Sequence, residues 1–361
     1  MTAVVKMKPV AGPAGTEVKS VPVPRPGPGE VLIRVLATAV CGSDRHIYKW
    51  DESMAAIVKP PRIYGHEFCG EIVSFGPAAR RQDLREGLYV SAEMHVTCGH
   101  CRPCRTGQRH ICENTRILGV HGDGCFAQYV VVPAYNVIPL DRHVVPPRVG
   151  AFLDALGNAV HTTQVADLSG KSVAVLGYGP IGAMCAEIAR KSGASHIAIT
   201  DVNAQAANHA RAWAKSRKLS NVTVIELTRT KDPVGSIRDA TGGGVDVVLE
   251  LSGAEASVNL GLAAARRGGH LSLLGLPREK SLTIRDYTND FVFKGLTLHA
   301  VVGRRIFETW IKMLDLLASG LDVDHLVTNE FEGLEDFHEA MALLEDRRAM
   351  KVVFYPNGKP A

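Results

Sequence analysis

Gly177-Tyr178-Gly179-Pro180-Ile181-Gly182 constrains this chain more than any other stretch. It follows a short apolar run, Ser172–Leu176, and precedes a run of helical spacing over 181–192. A strand, a glycine turn and a helix in that order belong to a parallel sheet with a helical crossover. The three glycines permit a tight turn, close approach of backbone to a pyrophosphate, and close packing of helix on strand. The helix N-terminus then offers free N–H groups and a positive dipole end to phosphate. An acidic residue is expected about 20 residues on, to accept hydrogen bonds from a ribose, and Asp201 stands there at the end of the next apolar run. Its carboxylate would repel a 2′-phosphate, and Val202 and Asn203 bring no cation to hold one. The expected cofactor is therefore NAD rather than NADP.

From about residue 155 onwards, apolar runs (197–200, 245–251, 270–274, 296–302) alternate with helical stretches such as 204–214. The expected fold of this half is a doubly wound parallel sheet. Residues 1 to about 155 read differently. Runs at 31–36, 68–75, 88–94 and 126–132 are short, β-branched and punctuated by Gly and Pro, as in an irregular β-barrel. From about 305 helical segments dominate (307–318, 334–345), before a last strand, Lys351–Tyr355. The chain has 361 residues, 46% of them hydrophobic, enough for two packed domains. Its 41 basic and 37 acidic residues nearly balance, and no like-charge block suggests a nucleic-acid or membrane partner. The first residues, MTAVVKMKPVAGPAG, carry no long apolar stretch, so the expected compartment is the cytoplasm.

Cys98, Cys101, Cys104 and Cys112 fall within fifteen residues. Thiolates on short turns suit zinc, and the basic loop (Arg102, Arg105, Arg109) favours the thiolate form. The alternative is a pair of disulfides, which a reducing compartment disfavours. A closed four-Cys site leaves no open coordination position, so this zinc would be structural, clamping the loop at about 95–115. Cys69, Cys125 and Cys185 read as ordinary core residues.

A catalytic zinc needs about three protein ligands and an open position. Cys41 and His66, twenty-five residues apart, offer sulfur and nitrogen, although a core Cys and a satisfied His are the commoner explanation for such a pair. Glu67 is a candidate third ligand. Neighbouring side chains in an extended segment point to opposite faces, so His66 and Glu67 can both ligate only if the backbone turns there. Asp154 is a further carboxylate candidate, with a helix N-cap as its alternative role. His95 reads as either a substrate-site or a structural residue. Arg304 would hold an anion or be a solvated charge, and Trp50 reads as core packing rather than pocket wall.

These residues together resemble the medium-chain, zinc-dependent alcohol dehydrogenase superfamily, most closely its L-threonine 3-dehydrogenase family, over nearly the whole chain. The stretches that carry the resemblance are CGSDRHIYKWDES, GHEFCGEIV, HVTCGHCRPC, GCFAQYVVVPAYN, GNAVHT, ITDVN and GRRIFETWIKM. It implies a GroES-like barrel (1–155 with 305–361) and a Rossmann domain (156–304), two zinc ions, and usually a homotetramer. It implies a catalytic zinc on Cys41, His66 and Glu67 with Asp154 nearby, and Ser43 with His46 as a proton relay. It also implies NAD contacts at Gly177, Gly179, Ile181, Gly182, Asp201, Leu274, Gly275, Leu276, Val301 and Val302. The activity implied is oxidation of a small secondary alcohol, L-threonine to 2-amino-3-oxobutanoate, with another β-hydroxy amino acid, a diol or a polyol as the alternative substrate. The chain departs from the family pattern at Ser43 (usually Thr), Ala155-Leu156 (Pro-Phe), Ala206 (Arg) and Val302 (Tyr). The first keeps its hydroxyl; the others alter the expected pocket wall and a cofactor contact.

Overall fold

The computed structural model describes residues 1–277 and 279–360; Ala361, the end of the range expected for the first domain, lies outside them. The chain divides into two compact units. One comprises Met1–Ala155, Arg305–Glu308 and Asp324–Ala361, the other Leu156–Arg304 and Thr309–Val323. Thr309–Val323 was expected with the first domain and joins the second instead. Side-chain donors of that unit explain why: Lys191 binds the Ser319 carbonyl and Arg217 pairs with Asp322.

The first unit is β-rich. Its main sheet runs in the order Val137–Pro139, Tyr89–Ala92, Glu67–Phe75, Glu30–Ala39, Lys351–Tyr355, Val327–Glu332, and Tyr129–Pro133 also pairs with Glu30–Ala39. Glu30–Ala39 is almost continuously buried because both its faces carry core. Val31, Ile33 and Val35 meet Phe68, Ile72, Val90 and Val130, while Tyr64, Phe126, Phe337 and Phe354 form a second, aromatic core. The cysteine-rich loop closes on a short ladder, His95–Val96 against Arg116–Ile117.

The second unit holds a six-stranded parallel sheet, in the order Val222–Glu226, His196–Asp201, Ser172–Leu176, Val245–Glu250, Ala265–Leu273, Thr297–Ala300. Counted along the chain this is 3-2-1-4-5-6, the doubly wound order in which ligands bind beyond the carboxyl ends of the strands at the reversal point. The reversal lies between Ser172–Leu176 and Val245–Glu250, both nearly fully buried. The last strand is shorter than its apolar run: it stops at Ala300, leaving Val301 and Val302 beyond the ladder. Among the described residues no helix is long and apolar enough to cross a membrane.

Candidate active site and metal centres

The helix Gly42–Lys49 positions one side of a polar cluster in the first unit. Cys41 is its N-cap residue, and Asp44, three residues on, accepts the Cys41 N–H through Oδ2 at 2.9 Å. The other Asp44 oxygen lies 3.5 Å from His66 Nδ1, with both side chains buried. A carboxylate on one ring nitrogen fixes the imidazole's orientation and leaves the other to act. Burial alone would lower the His66 pKa; the Asp44 carboxylate and the Cys41 sulfur outweigh it and hold it well above the ordinary value. Asp44 escaped the sequence reading as a site residue, although its spacing from an N-cap was a legible signal.

Gly65 settles how adjacent residues reach one point. It takes a φ of +95°, and a Cβ there would sit 2.6 Å from the Phe126 ring. The chain turns at Gly65 and the strand starts only at Glu67, so the ligand atoms of Cys41, His66, Glu67 and Asp154 all lie within 4.8 Å of one another. Asp154 is the second residue of the helix Leu153–Thr163, inside its first turn rather than at its cap. Glu67 Oε2 pairs with the buried Lys351 ammonium at 2.5 Å, while Glu67 Oε1 is buried without a hydrogen-bond partner among the described residues. Burial pushes the Glu67 carboxyl up and Lys351 pulls it back, leaving it raised overall. An orphaned buried carboxylate oxygen is costly. Together with a thiol, an imidazole and a second carboxylate, it is the donor set of a mixed-ligand zinc site.

Ser43 Oγ stands 3.3 Å from His66 Nε2, beside the cluster. His46, one turn further on, is exposed and its Nδ1 meets Asp51 Oδ2. His95 binds the buried Glu93 carboxylate through Nδ1 at 2.6 Å. Trp50 packs against the aromatic core.

The four loop thiols form the second cluster. They are free of disulfides. Cys112 Sγ lies 3.6 Å from Cys98 Sγ and 3.8 Å from Cys101 Sγ. A tetrahedron of Zn–S bonds near 2.3 Å has edges of about 3.8 Å. The backbone N–H groups of His100 and Cys101 stabilise the Cys98 thiolate and pull its pKa down to about 5. Burial, with Cys101 and Cys112 as neighbours, pushes Cys104 up to about 12. Both clusters therefore fit zinc.

In the second unit the glycine turn is laid out as the fingerprint requires. Gly177 has a φ of +101°; a Cβ on Gly182 would sit 2.0 Å from the Gly177 carbonyl oxygen, and one on Gly179 would meet nothing within 4 Å. Gly179 is the N-cap of the helix Pro180–Lys191, and Ile181 is half-buried in its first turn. Asp201 ends the strand His196–Asp201; its carboxylate accepts the Tyr178 and Asn203 N–H groups, each at 2.7 Å. A cavity of about 580 Å³, mostly apolar, opens beside it between Gly177, Asp201, Val202, Leu227, Ala254 and Leu260. Ala206 adds no cation there. Leu274 and Gly275 donate to the Glu250 carbonyl, and Val301 donates to that of Leu273. Val301 is buried, whereas Leu276 and Val302 are exposed. Arg304 is not a solvated charge: it is fully buried, donates to Asn158 Oδ1 at 3.2 Å and fills the space over Gly157.

Comparison with known proteins adds three findings. The alcohol dehydrogenase GroES-like domain family matches residues 27–142, and the zinc-binding dehydrogenase family matches residues 180–319. The L-threonine 3-dehydrogenase of Thermococcus kodakarensis is 41% identical over 360 residues, 99% of this chain and 98% of that protein. Among solved structures, an alcohol dehydrogenase from Thermus sp. ATN1 superposes with a TM-score of 0.85 at 30% identity, covering 98% of this chain and 99% of the other. The 2R,3R-butanediol dehydrogenase of Bacillus subtilis superposes with a TM-score of 0.84 at 26% identity, covering 99% of each.

Proposed function

We propose that this chain, which belongs to the zinc-dependent alcohol dehydrogenase family, oxidises the 3-hydroxyl of L-threonine to 2-amino-3-oxobutanoate with NAD. The observation that carries the reading is the convergence of Cys41, His66, Glu67 and Asp154 on one buried point, with the Ser43 hydroxyl beside it. Cys41, His66 and Glu67 would hold a catalytic zinc, with Asp154 next to it. Cys98, Cys101, Cys104 and Cys112 would hold a structural one. When bound, the catalytic zinc supplies Lewis acidity that makes an alcohol a stronger acid, and NAD supplies the hydride acceptor.

The chain's own residues do the rest. Ser43 Oγ accepts the substrate's proton and passes its own towards His46. Asp51 holds His46 Nδ1, assigning the proton to that nitrogen and leaving Nε2 to take the next one and release it to solvent. Asp44 fixes the His66 ring. Lys351 neutralises one Glu67 oxygen so that the other faces the cluster. Gly179 leaves room for the pyrophosphate and the helix Pro180–Lys191 presents its N–H groups to it. Asp201 binds the ribose hydroxyls and repels a 2′-phosphate, which selects NAD.

A diol or polyol is the second reading. It is favoured by Ala155, Leu156 and Val302 in place of the family's larger residues, and by the likeness to a butanediol dehydrogenase. Cytoplasmic placement and a homotetramer complete the proposal. The test is NADH formation at 340 nm by zinc-replete protein with L-threonine, 1-amino-2-propanol, 2,3-butanediol and sorbitol. Fast turnover of L-threonine, and a large loss with the analogue that lacks its carboxylate, is the expected result. Turnover of a diol or polyol with L-threonine inert would replace the substrate and keep the chemistry.

A further inference from the structure

Lys6 ends the strand Thr2–Lys6 and is fully buried, yet it forms no ion pair among the described residues. Burial pulls its pKa down to about 8, so a neutral side chain would suit the site better on solvation alone. Its ammonium instead serves three partners. It donates to the Val10 carbonyl at 2.6 Å and to the Tyr48 carbonyl at 3.2 Å, and it sits 5.3 Å from the centroid of the Trp50 ring. Tyr48 lies in the last turn of the helix Gly42–Lys49. Carbonyls there lack intrahelical partners and form the negative end of the helix dipole, where a cation is favourable. Trp50 is the C-cap of the same helix, with φ 53° and ψ 51°, a left-handed conformation that bulky residues rarely adopt. A cation over its ring and a second hold on the preceding turn keep it there.

This clamp bears on the relay through Asp51, the residue after Trp50. The Asp51 N–H reaches back to the His46 carbonyl at 3.3 Å, and Asp51 Oδ2 binds His46 Nδ1. Its other oxygen is engaged by Ser53 Oγ at 2.7 Å and Met54 N–H at 3.2 Å. With the left-handed turn at Trp50 in place, the carboxylate meets His46. We propose that Lys6 is a positioning residue for the proton relay: through Tyr48 and Trp50 it sets the turn that brings Asp51 onto His46. The inference rests on the relay reading of Ser43 and His46.

The test compares kcat for L-threonine oxidation in the full-length, zinc-replete chain and its variants Lys6→Met, Trp50→Leu, Asp51→Asn, His46→Ala and the double variant Lys6→Met/Asp51→Asn. Lys6→Met is expected to keep the wild-type zinc content and KM values within about twofold and to lower kcat roughly tenfold, a part of the roughly 10²- to 10⁴-fold that general acid–base assistance supplies, because His46 itself remains. The pH profile of kcat is expected to shift, the solvent deuterium isotope effect to rise, and added imidazole to restore part of the rate, as in His46→Ala. Trp50→Leu reproduces this if Lys6→Met does not fold. Because Lys6 acts through Asp51, the double variant will be no slower than Asp51→Asn alone. Additive losses, or a Lys6→Met enzyme that is merely less heat-stable with an unchanged pH profile and isotope effect, overturn the proposal. A His46→Ala enzyme with wild-type rate and pH profile overturns the relay itself. That outcome is distinguishable from a failure of Lys6 alone, in which His46→Ala is slow and Lys6→Met is not.

Discussion

Gly179 and Gly182 make opposite demands on an added methyl group, and that separates binding from folding. A Cβ on Gly182 would sit 2.0 Å from the Gly177 oxygen and 3.0 Å from its carbon. Since ordinary contact begins near 3.4 Å, the helix Pro180–Lys191 would have to withdraw from the turn by more than about 1 Å, an overpacking that costs about 1–3 kcal/mol. A Cβ on Gly179 meets nothing within 4 Å, and its φ of −76° suits alanine. The gain from a stiffer unfolded chain, about 0.4–1 kcal/mol, is offset by the poorer N-cap. Gly179→Ala should therefore leave the melting temperature within a few degrees of wild type. On the proposed NAD reading, the same open space is where the pyrophosphate would come against backbone. A methyl group there would break one or two charged hydrogen bonds, about 2–3 kcal/mol together, or roughly a 30- to 150-fold weaker Kd. NADH fluorescence titration beside thermal unfolding measures both quantities. Gly179→Ala with wild-type NADH affinity, or Gly182→Ala with wild-type stability, would refute the reasoning.

The site and its supports yield three further expected outcomes. Cys104→Ser is expected to cost one zinc per chain by elemental analysis and to open the 98–112 loop to protease, because three thiolates no longer close the tetrahedron. Lys351→Met leaves Glu67 buried without its cation, a loss of about 3–5 kcal/mol. The fall in melting temperature should be larger in chelator-treated than in zinc-replete protein, and an equal fall would show that no metal shares the Glu67 charge. Asp246 accepts the Ser172 N–H and hydroxyl at 2.8 Å each. Burial alone would raise its pKa, but these bonds and the Arg266 guanidinium outweigh burial and hold it below the usual carboxylate value. A depressed folded pKa gives stability that is present above about pH 4 and lost as pH falls through the folded value. Asp246→Asn should lower stability by about 1–2 kcal/mol at pH 7 and progressively less below about pH 4; a gap in urea midpoints that does not change with pH would contradict this.

The parallel sheet was legible where its strands are central and its turns chemically marked. Ser172–Leu176, the glycine turn and Asp201 could be read because one short segment carries the whole device. Val222–Glu226 went unread because it is an edge strand, only half-buried over most of its length. Glu255–Ala264 is buried on nearly every side from Ser257 onwards, so it shows no amphipathic stripe to betray a helix. In the site, residue type and local spacing pointed to Cys41, His66 and the four loop thiols. Whether His66 and Glu67 could converge was not readable, since it depends on Gly65 and on the Phe126 ring sixty residues away in sequence. Lys351 and Lys6 were invisible for a related reason. Their partners, Glu67 and Tyr48, lie 284 and 42 residues away, and no local pattern records such contacts.

Two metal centres with separate tasks are the central claim. Counting zinc per chain by native mass spectrometry, in the wild type and in His66→Ala, tests this most directly. The prediction is two zinc ions in the wild type and one in His66→Ala, with NADH formation abolished in the variant while the four-Cys loop keeps its metal. One zinc in an active wild type, or two in an inactive His66→Ala, would contradict the assignment of the buried Cys41, His66 and Glu67 cluster as the catalytic centre.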